Sequence, residues 1–372
     1  MLVVRNEKIE YIETMKILQV ITSLQTGGAE KLIVDMVPKY KHLGLDVDVL
    51  LFDGKDTPFK RQLKNVGVKV FSLGYGGSVY NPLYIFKLLP YLRKYDVVHT
   101  HNTAPQLFAA IGSVLCSVVL CTTEHNTSNR RRDWKWYRAI DKWMYSRYKK
   151  VICISDSTEE NLRKSIDCNS DKICTIYNGI DFVSYDKATP IAKNSITPYI
   201  NRKVIAMVAG FRYQKDQETV IKSLLALPDN VELWLIGDGE RRSIIEQCVE
   251  DNHLQCRVRL LGIRSDIPSI LKVVDVVVQS SFWEGFGLAA VEGMAAGKPV
   301  IASNVSGLAQ VVSGAGVLFT LGNEEELAAI ILHLLSDREY YESVATKCIQ
   351  RAKEYDISKM VEAYVKIYKM LN

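Results

Sequence analysis

A chain of 372 residues is long enough for two domains of ordinary size, and 48% hydrophobic with 24% charged residues is the balance of a folded globular protein, which excludes an intrinsically disordered chain. No uninterrupted apolar run reaches the ~20 residues of a membrane-spanning helix. The formal charge of +5 is local: Arg130 to Lys150 carries nine Lys or Arg against two Asp, which leaves −2 for the remainder, so the even basic surface of a nucleic-acid-binding protein is set aside.

The first fourteen residues, MLVVRNEKIEYIET, are charged throughout. They read as a disordered leader over 1–14 and lack the apolar core of a secretory signal. From Lys16 onward, short apolar runs alternate with helical patterns, the signature of α/β layers built on parallel sheets. The first half offers strands at KILQVIT, DVDVLLF, KVFSL, DVVHT, VVLCTT, VICIS and ICTIY, with helices predicted at 29–43, 82–94, 104–115 and 134–148. The second half offers VIAMVAG, VELWLIG, RVRLLG, DVVVQS, PVIAS and GVLF. Helices are predicted there at about 216–227, 239–252, 267–273, 288–296, 324–335 and 338–353, with a last one at about 357–371. A polar stretch from Val183 to Arg202, with Pro190 and Pro198, reads as the link between two doubly wound domains. The eight cysteines show no C-x-x-C or zinc-finger spacing and several lie in strand-like runs. Buried thiols in a reducing cytoplasm are expected rather than a disulfide scaffold.

In such sheets ligands bind beyond the carboxyl ends of the strands, so the strand ends are where candidate residues are sought. The first strand runs into Thr26-Gly27-Gly28-Ala29-Glu30. Paired glycines between strand and helix let a ligand approach backbone N–H groups around Gly28. The third glycine of a G-x-G-x-x-G fingerprint is missing here and in LIGDGE at 235–240, where Gly237 sits, which argues against a nicotinamide dehydrogenase. His99, His101 and His125 all fall at or near strand ends. An imidazole there suits a sugar hydroxyl or proton transfer from an acceptor, although a lone histidine is as often structural. A three-histidine metal site is conceivable, but no carboxylate pattern accompanies it. Asp46-Val47-Asp48 matches an acid-x-acid metal motif, yet it lies at the start of a strand and reads as a solvated strand end.

The second half carries the stronger pattern. After VIAMVA, Gly210-Phe211-Arg212-Tyr213-Gln214-Lys215 places two cations at a strand end, a fork and a point charge suited to phosphate oxygens. Further on, SFWEGFGLAAVEGMAAGKPVIASNVSG sets Glu284 in a glycine-punctuated loop and Glu292 seven residues later in an apolar helix. A helix start attracts anions, and carboxylates on either side suit hydroxyl donors. Together these residues fit a diphosphate with a polyol at each end, which describes a nucleotide sugar. The basic segment RRRDWKWYRAIDKWMYSRYKK interleaves aromatics with cations. Arg130, Arg131, Arg132, Trp134, Lys135 and Trp136 suit an anionic membrane surface, and a plain amphipathic helix is the competing reading.

Taken in order, TGGAE at 26–30, VVHTHN at 97–102, TEHNTS at 123–128, VICIS at 151–155, YNGID at 177–181, GFRYQKD at 210–216, LIGDGE at 235–240 and the glutamate pair resemble the retaining nucleotide-sugar glycosyltransferases of family 4, with the GT-B fold. The resemblance implies two Rossmann-like domains facing across a cleft: an acceptor-side domain over 15–190 and a donor domain over 191–355. The final helix over 356–372 is left to pack on either domain, with a return to the first as one option. It implies that Arg212 and Lys215 hold the donor diphosphate, with Glu284 on the donor sugar and Glu292 on the ribose. Backbone around Phe286, Gly287 and Leu288 would cradle phosphate, Ile263 would meet the nucleobase, and Gly28 would approach the diphosphate. His125 would stand near the sugar, with His101 and Asn102 on the acceptor side. The family's usual G-R-L is Gly210-Phe211-Arg212 here, which leaves the arginine shifted by one. The expected activity is sugar transfer with retention from a UDP-sugar, or a GDP-sugar, to an acceptor hydroxyl. No metal or cofactor is implied, and the setting would be bacterial surface polysaccharide or glycolipid synthesis at the inner face of the membrane. A nucleotide-sugar epimerase and a non-catalytic sugar-nucleotide-binding protein are the rival readings.

Overall fold

Fifteen strands and fifteen α-helices are assigned in a computed structural model that describes residues 2–5, 8–11, 15–25, 27–125, 135–166 and 170–371. The chain divides into two units, one of Met1–Gly179 with Ile357–Asn372 and the other of Ile180–Asp356.

In the first unit β1 (Leu2–Arg5) pairs antiparallel with β2 (Lys8–Tyr11), a two-stranded ribbon separate from the main sheet. The main sheet comprises β3 (Lys16–Ile21), β4 (Asp46–Leu51), β5 (Val70–Ser72), β6 (Val97–His101), β7 (Val119–Glu124), β8 (Lys150–Cys153) and β9 (Ile173–Thr175). They stand in the order β5-β4-β3-β6-β7-β8-β9, all parallel. Helices on both faces bury the strands, which explains why the predicted strands read as apolar runs and not as alternating patterns. The core packs Leu18, Val20, Leu50, Val98 and Leu120 of the sheet against Phe52, Leu88, Phe108, Tyr145 and Tyr148. Helix starts are sealed where the sequence supplies the cap: Thr57 accepts from the Lys60 amide and Ser155 from the Thr158 amide.

The second unit holds β10 (Lys203–Val208), β11 (Val231–Ile236), β12 (Val258–Leu260), β13 (Val276–Gln279), β14 (Val300–Ser303) and β15 (Val317–Phe319). Their order is β12-β11-β10-β13-β14-β15, again parallel. Two doubly wound α/β sheets are therefore present, each reversing direction once: between β3 and β6 in the first, between β10 and β13 in the second.

Three readings of the sequence change here. Residues 1–14, read as a disordered leader, contain the paired strands Leu2–Arg5 and Lys8–Tyr11. The boundary between units falls at Gly179 and Ile180 and not near 190. The polar stretch packs onto the second unit because it supplies partners to a carboxylate within β11. Glu232 is fully buried and accepts from the Thr197 hydroxyl at 3.0 Å, from Arg202 at 3.4 Å and from the Trp234 indole at 2.6 Å. Asp48 is not a solvated strand end either. It is buried and accepts a 2.6 Å hydrogen bond from the Tyr95 hydroxyl. The last helix, Ile357–Leu371, belongs to the first unit, where Ile357, Met360, Val361, Tyr364 and Tyr368 are buried.

Candidate active site

The switch point of the second sheet brings two loops together. The loop after β10 carries Gly210 to Asp216, and the loop after β13 carries Ser280 to Gly287. Asp216 joins them: one carboxylate oxygen caps the helix Gln217–Ser223 through the Thr219 amide, and the other accepts from the Ser280 hydroxyl at 2.8 Å. The Phe282 amide donates to the Gln214 carbonyl at 2.9 Å, and the Gln214 side chain donates to the Trp283 carbonyl at 2.7 Å. Tyr213 stacks on Phe282 with centroids 5.0 Å apart. These ties hold the Lys215 ammonium against the Glu284 carboxylate as a partly buried ion pair. The second oxygen of Glu284 accepts from the Gly285 amide at 3.2 Å.

Arg212 lies on the same loop, exposed, and among the described residues its guanidinium makes no hydrogen bond or ion pair. Gly287 caps the helix Leu288–Ala295 in the left-handed region, at φ 91° and ψ 52°, and no side chain caps that start. The first-turn N–H groups of a helix lack intrahelical partners, so this end is a polar cradle beside a cation pair. Two glycines make the close approach possible. A Cβ on Gly307 would lie 2.1 Å from the Glu284 carbonyl oxygen, and one on Gly287 would lie 2.5 Å from Leu308 Cδ2 at a φ that disfavours side chains. Phe286 is buried edge-to-face against Tyr355, and Glu292 is buried in the helix.

Other candidates of this unit sit on the neighbouring loops. Gly237, at φ 142°, follows β11, and its amide donates to the Gly262 carbonyl at 2.9 Å. A Cβ there would lie 2.0 Å from the Ala209 carbonyl oxygen, so this glycine serves the packing of two loops. The bridge to Gly262 places Ile263 next to it, 64% exposed.

In the first unit the three histidines form one cluster. His99 and His101, on β6, stack with centroids 4.4 Å apart. His101 bonds to His125 at 2.9 Å and to the Gln19 carbonyl oxygen at 2.8 Å. His99 bonds to the Tyr368 hydroxyl at 2.5 Å and to Thr123 at 2.8 Å. Burial pushes all three down: His99 to about 3, with the nearby His125 adding to it, His125 to about 4, and His101 well below its ordinary value. The three imidazoles bond to one another, to hydroxyls and to the Gln19 amide oxygen. Among the described residues no group of three or more His, Cys, Asp or Glu is placed to hold a metal ion. His101 is wholly buried behind His125, so its ring does not face solvent as an acceptor-side residue would. Asn102 follows β6 at φ 66° and precedes the helix Thr103–Leu115, and its buried side-chain oxygen has no partner among the described residues. Gly28 opens the helix Gly28–His42 after β3, with Gly27 as an extended cap that forms no side-chain hydrogen bond.

Arg130, Arg131, Arg132 and Trp134 lie outside the described residues, as do the side chains of Lys135 and Trp136. The helix they lead into, Lys135–Ser146, turns Met144 and Tyr145 inward while Tyr137, Ile140 and Trp143 remain exposed. The seven described cysteines are free, and Cys256 is exposed against expectation. No helix among the described residues is long and apolar enough to cross a membrane.

The family profile described as Glycosyl transferases group 1 matches residues 189–355, and that described as Glycosyltransferase Family 4 matches residues 26–183. The chain is 28% identical over 297 residues to an uncharacterised glycosyltransferase of Methanocaldococcus jannaschii, covering 74% of this chain and 76% of that one. It is 32% identical over 241 residues to the UDP-Gal:alpha-D-GlcNAc-diphosphoundecaprenol alpha-1,3-galactosyltransferase of Escherichia coli, covering 60% and 61%. The crystal structure of Anabaena HepE with UDP and glucose superimposes with a TM-score of 0.85 at 24% identity, over 96% of this chain and 100% of that one. That likeness shows the fold.

Proposed function

Because this chain belongs to the glycosyltransferases of the group 1 and family 4 type, we propose that it transfers a sugar, with retention, from a nucleoside-diphosphate donor to an acceptor hydroxyl at the Lys215–Glu284 site. The observation that carries this reading is the convergence, at one switch point, of a lysine, an unpartnered arginine and an uncapped helix start. The main barrier to sugar transfer is negative charge gathering on the departing diphosphate. Preorganised donors aimed at such charge contribute ~3 kcal/mol each. Arg212 grips phosphate oxygens with its planar fork, Lys215 adds a point charge, and the amides at Gly287 and Leu288 complete the cradle. A donor phosphate competes with Glu284 for the ammonium, which frees the carboxylate to accept from sugar hydroxyls. Glu292, one helical turn further in, serves the ribose, and Ile263 and Gly237 border the base.

No step requires a protein nucleophile. Glu284 is engaged by Lys215 and by its own loop amide, which suits recognition better than attack on carbon. Departure of the diphosphate and entry of the acceptor on the same face give retention, with a phosphate oxygen taking the acceptor proton. The cation pair takes the role that a divalent ion has elsewhere, so the reaction runs without added metal. The E. coli relative's named donor and diphosphoundecaprenol acceptor support a UDP-sugar donor, ahead of a GDP-sugar, and a lipid-linked acceptor. Both imply work at the cytoplasmic face of a membrane, in surface polysaccharide or glycolipid synthesis.

The test is a thermal-shift screen over nucleotide sugars followed by transfer assays with the donor that binds. A donor at 100 times its Kd raises stability by ~2.7 kcal/mol. Release of nucleoside diphosphate only when an acceptor is present, with product of unchanged anomeric configuration, is the expected result. An altered free sugar from donor alone identifies an epimerase, and binding without turnover identifies a sensor.

A further inference from the structure

The histidine cluster of the first unit is part of a longer chain of hydrogen bonds, and that chain fixes where its protons lie. Gln19, wholly buried on β3, turns its carbonyl oxygen to His101 Nε2 at 2.8 Å and its amide nitrogen to the Tyr368 hydroxyl at 2.9 Å. A carbonyl oxygen only accepts, so His101 carries its proton on Nε2. A neutral imidazole has one N–H, which leaves His101 Nδ1 bare. Nδ1 faces His125 Nε2 at 2.9 Å and therefore accepts from it. His125 is then protonated on Nε2 and bare on Nδ1, and among the described residues Nδ1 has no partner. In the other direction the Gln19 amide donates to Tyr368. The Tyr368 hydroxyl lies 2.5 Å from His99 Nδ1, and His99 Nε2 lies 2.8 Å from the Thr123 hydroxyl. Thr123 reaches Tyr364 at 3.0 Å.

Between Gln19 and His125 the chain has one sense of donation. To reverse it, the Gln19 amide must turn over and the protons of His101 and His125 must move with it. Only the reversed sense would present an N–H at the outer nitrogen of His125.

We propose that Gln19 and Tyr368 are positioning residues which, through His101, hold His125 as a neutral imidazole that offers its Nδ1 lone pair to a hydroxyl of an acceptor bound at this unit. The functional half of this rests on the glycosyltransferase reading; the tautomer does not. It makes the C-terminal helix a contributor to the site, since Tyr368 lies in Ile357–Leu371.

Nitrogen-15 NMR of histidine-labelled protein, with His125→Gln used to identify the His125 resonances, reads the tautomer directly. A protonated Nε2 and a bare Nδ1 from pH 6 to 8 is the expected pattern. A protonated Nδ1, or an imidazole that titrates in that range, overturns the proposal without any substitution at Gln19. Gln19→Leu removes the acceptor, so His125 is expected to become a mixture of tautomers while turnover falls about tenfold, the effect typical of partners that orient a functional imidazole. Gln19→Glu, which keeps an acceptor facing His101, is expected to restore the single tautomer. Tyr368→Phe, which deletes one hydroxyl, is expected to mix the His99 tautomers and weaken the hold on Gln19. An unchanged His125 spectrum in both Gln19→Leu and Tyr368→Phe refutes the positioning role. A changed spectrum with full turnover refutes the functional half, and is distinct from failure of the glycosyltransferase reading, in which the unsubstituted protein itself releases no diphosphate.

Discussion

Lys215 and Glu284 owe their proximity to ties between their two loops: Asp216 on Ser280, Gln214 on Trp283, and a hydrogen atom in place of a side chain at Gly307. Single substitutions therefore divide into those that remove chemistry and those that move it. Lys215→Ala and Glu284→Ala are expected to lower turnover about 100-fold each with little change in fold, as judged by circular dichroism and melting temperature. Near-normal turnover in both removes the proposed site. Gly307→Ala retains every functional group yet forces the Glu284 loop aside, because the new Cβ meets a backbone oxygen and not a flexible side chain. Its donor KM should rise and its turnover fall together. Gly287→Ala adds left-handed strain of about 1–3 kcal/mol and should lower the melting temperature as well.

At the scale of elements, β6 is the informative strand. Each of its two histidines is neutral because burial has removed the water that would solvate the cation, and the same holds for His125 beyond β7. Folded-state values lie below the unfolded value of ~6.5, so the unfolded chain binds more protons at acid pH. This contribution to stability is complete above pH ~6.5 and is lost as pH falls toward the values of about 4 for His125 and about 3 for His99. Each histidine adds up to ~1.4 kcal/mol per pH unit within that window. Denaturant titrations at pH 7 and pH 5 should show the loss, and His99→Asn should make the pH dependence shallower. An unchanged slope in that variant would mean the ring is charged in the fold. The helix Lys135–Ser146 offers a second test at this scale. Its exposed Tyr137, Ile140 and Trp143 extend the aromatic and basic character of the segment before it. Replacing Arg130, Arg131 and Arg132 with Ser should weaken sedimentation with anionic vesicles at low salt, and equal sedimentation would dispose of a peripheral membrane role.

For the whole molecule, the decisive feature is that the chain leaves the first unit at Gly179 and re-enters it at Ile357. The returning helix buries Met360, Val361, Tyr364 and Tyr368, and side chains of this kind stabilise by about 1.5–3 kcal/mol each. Ending the chain at Asp356 should therefore loosen the first unit selectively. Hydrogen exchange is expected to speed up in β3 and β6 while β10, β11 and β13 keep their protection. Uniform protection would show the helix to be dispensable. Such a truncation also removes Tyr368 from the histidine chain, so it should disturb the His125 tautomer by a second route.

The strands of the two main sheets, most helices and the two-sheet architecture were legible in the chain because burial in a parallel sheet demands continuous apolar runs, and those are local signals. The helices Pro58–Asn65, Asp156–Ser165, Phe182–Asp186 and Ser306–Val312 were not among those predicted, because ten residues or fewer leave too short a helical period to read. The glutamate loop, the cations before it and the glycine at the helix start were likewise visible, since strand ends and glycines mark where a ligand meets backbone. What the sequence could not express was partnership across long separations. Thr197, Arg202 and Glu232 turned an apparent linker into part of the second unit, and Tyr95 turned Asp48 from a surface acid into a buried one. Gln19 and Tyr368 are 349 positions apart, yet share a hydrogen bond. A side chain declares its own chemistry wherever it stands, but its proton state and its partner depend on which distant groups the folded chain sets beside it, and only the tertiary structure decides that.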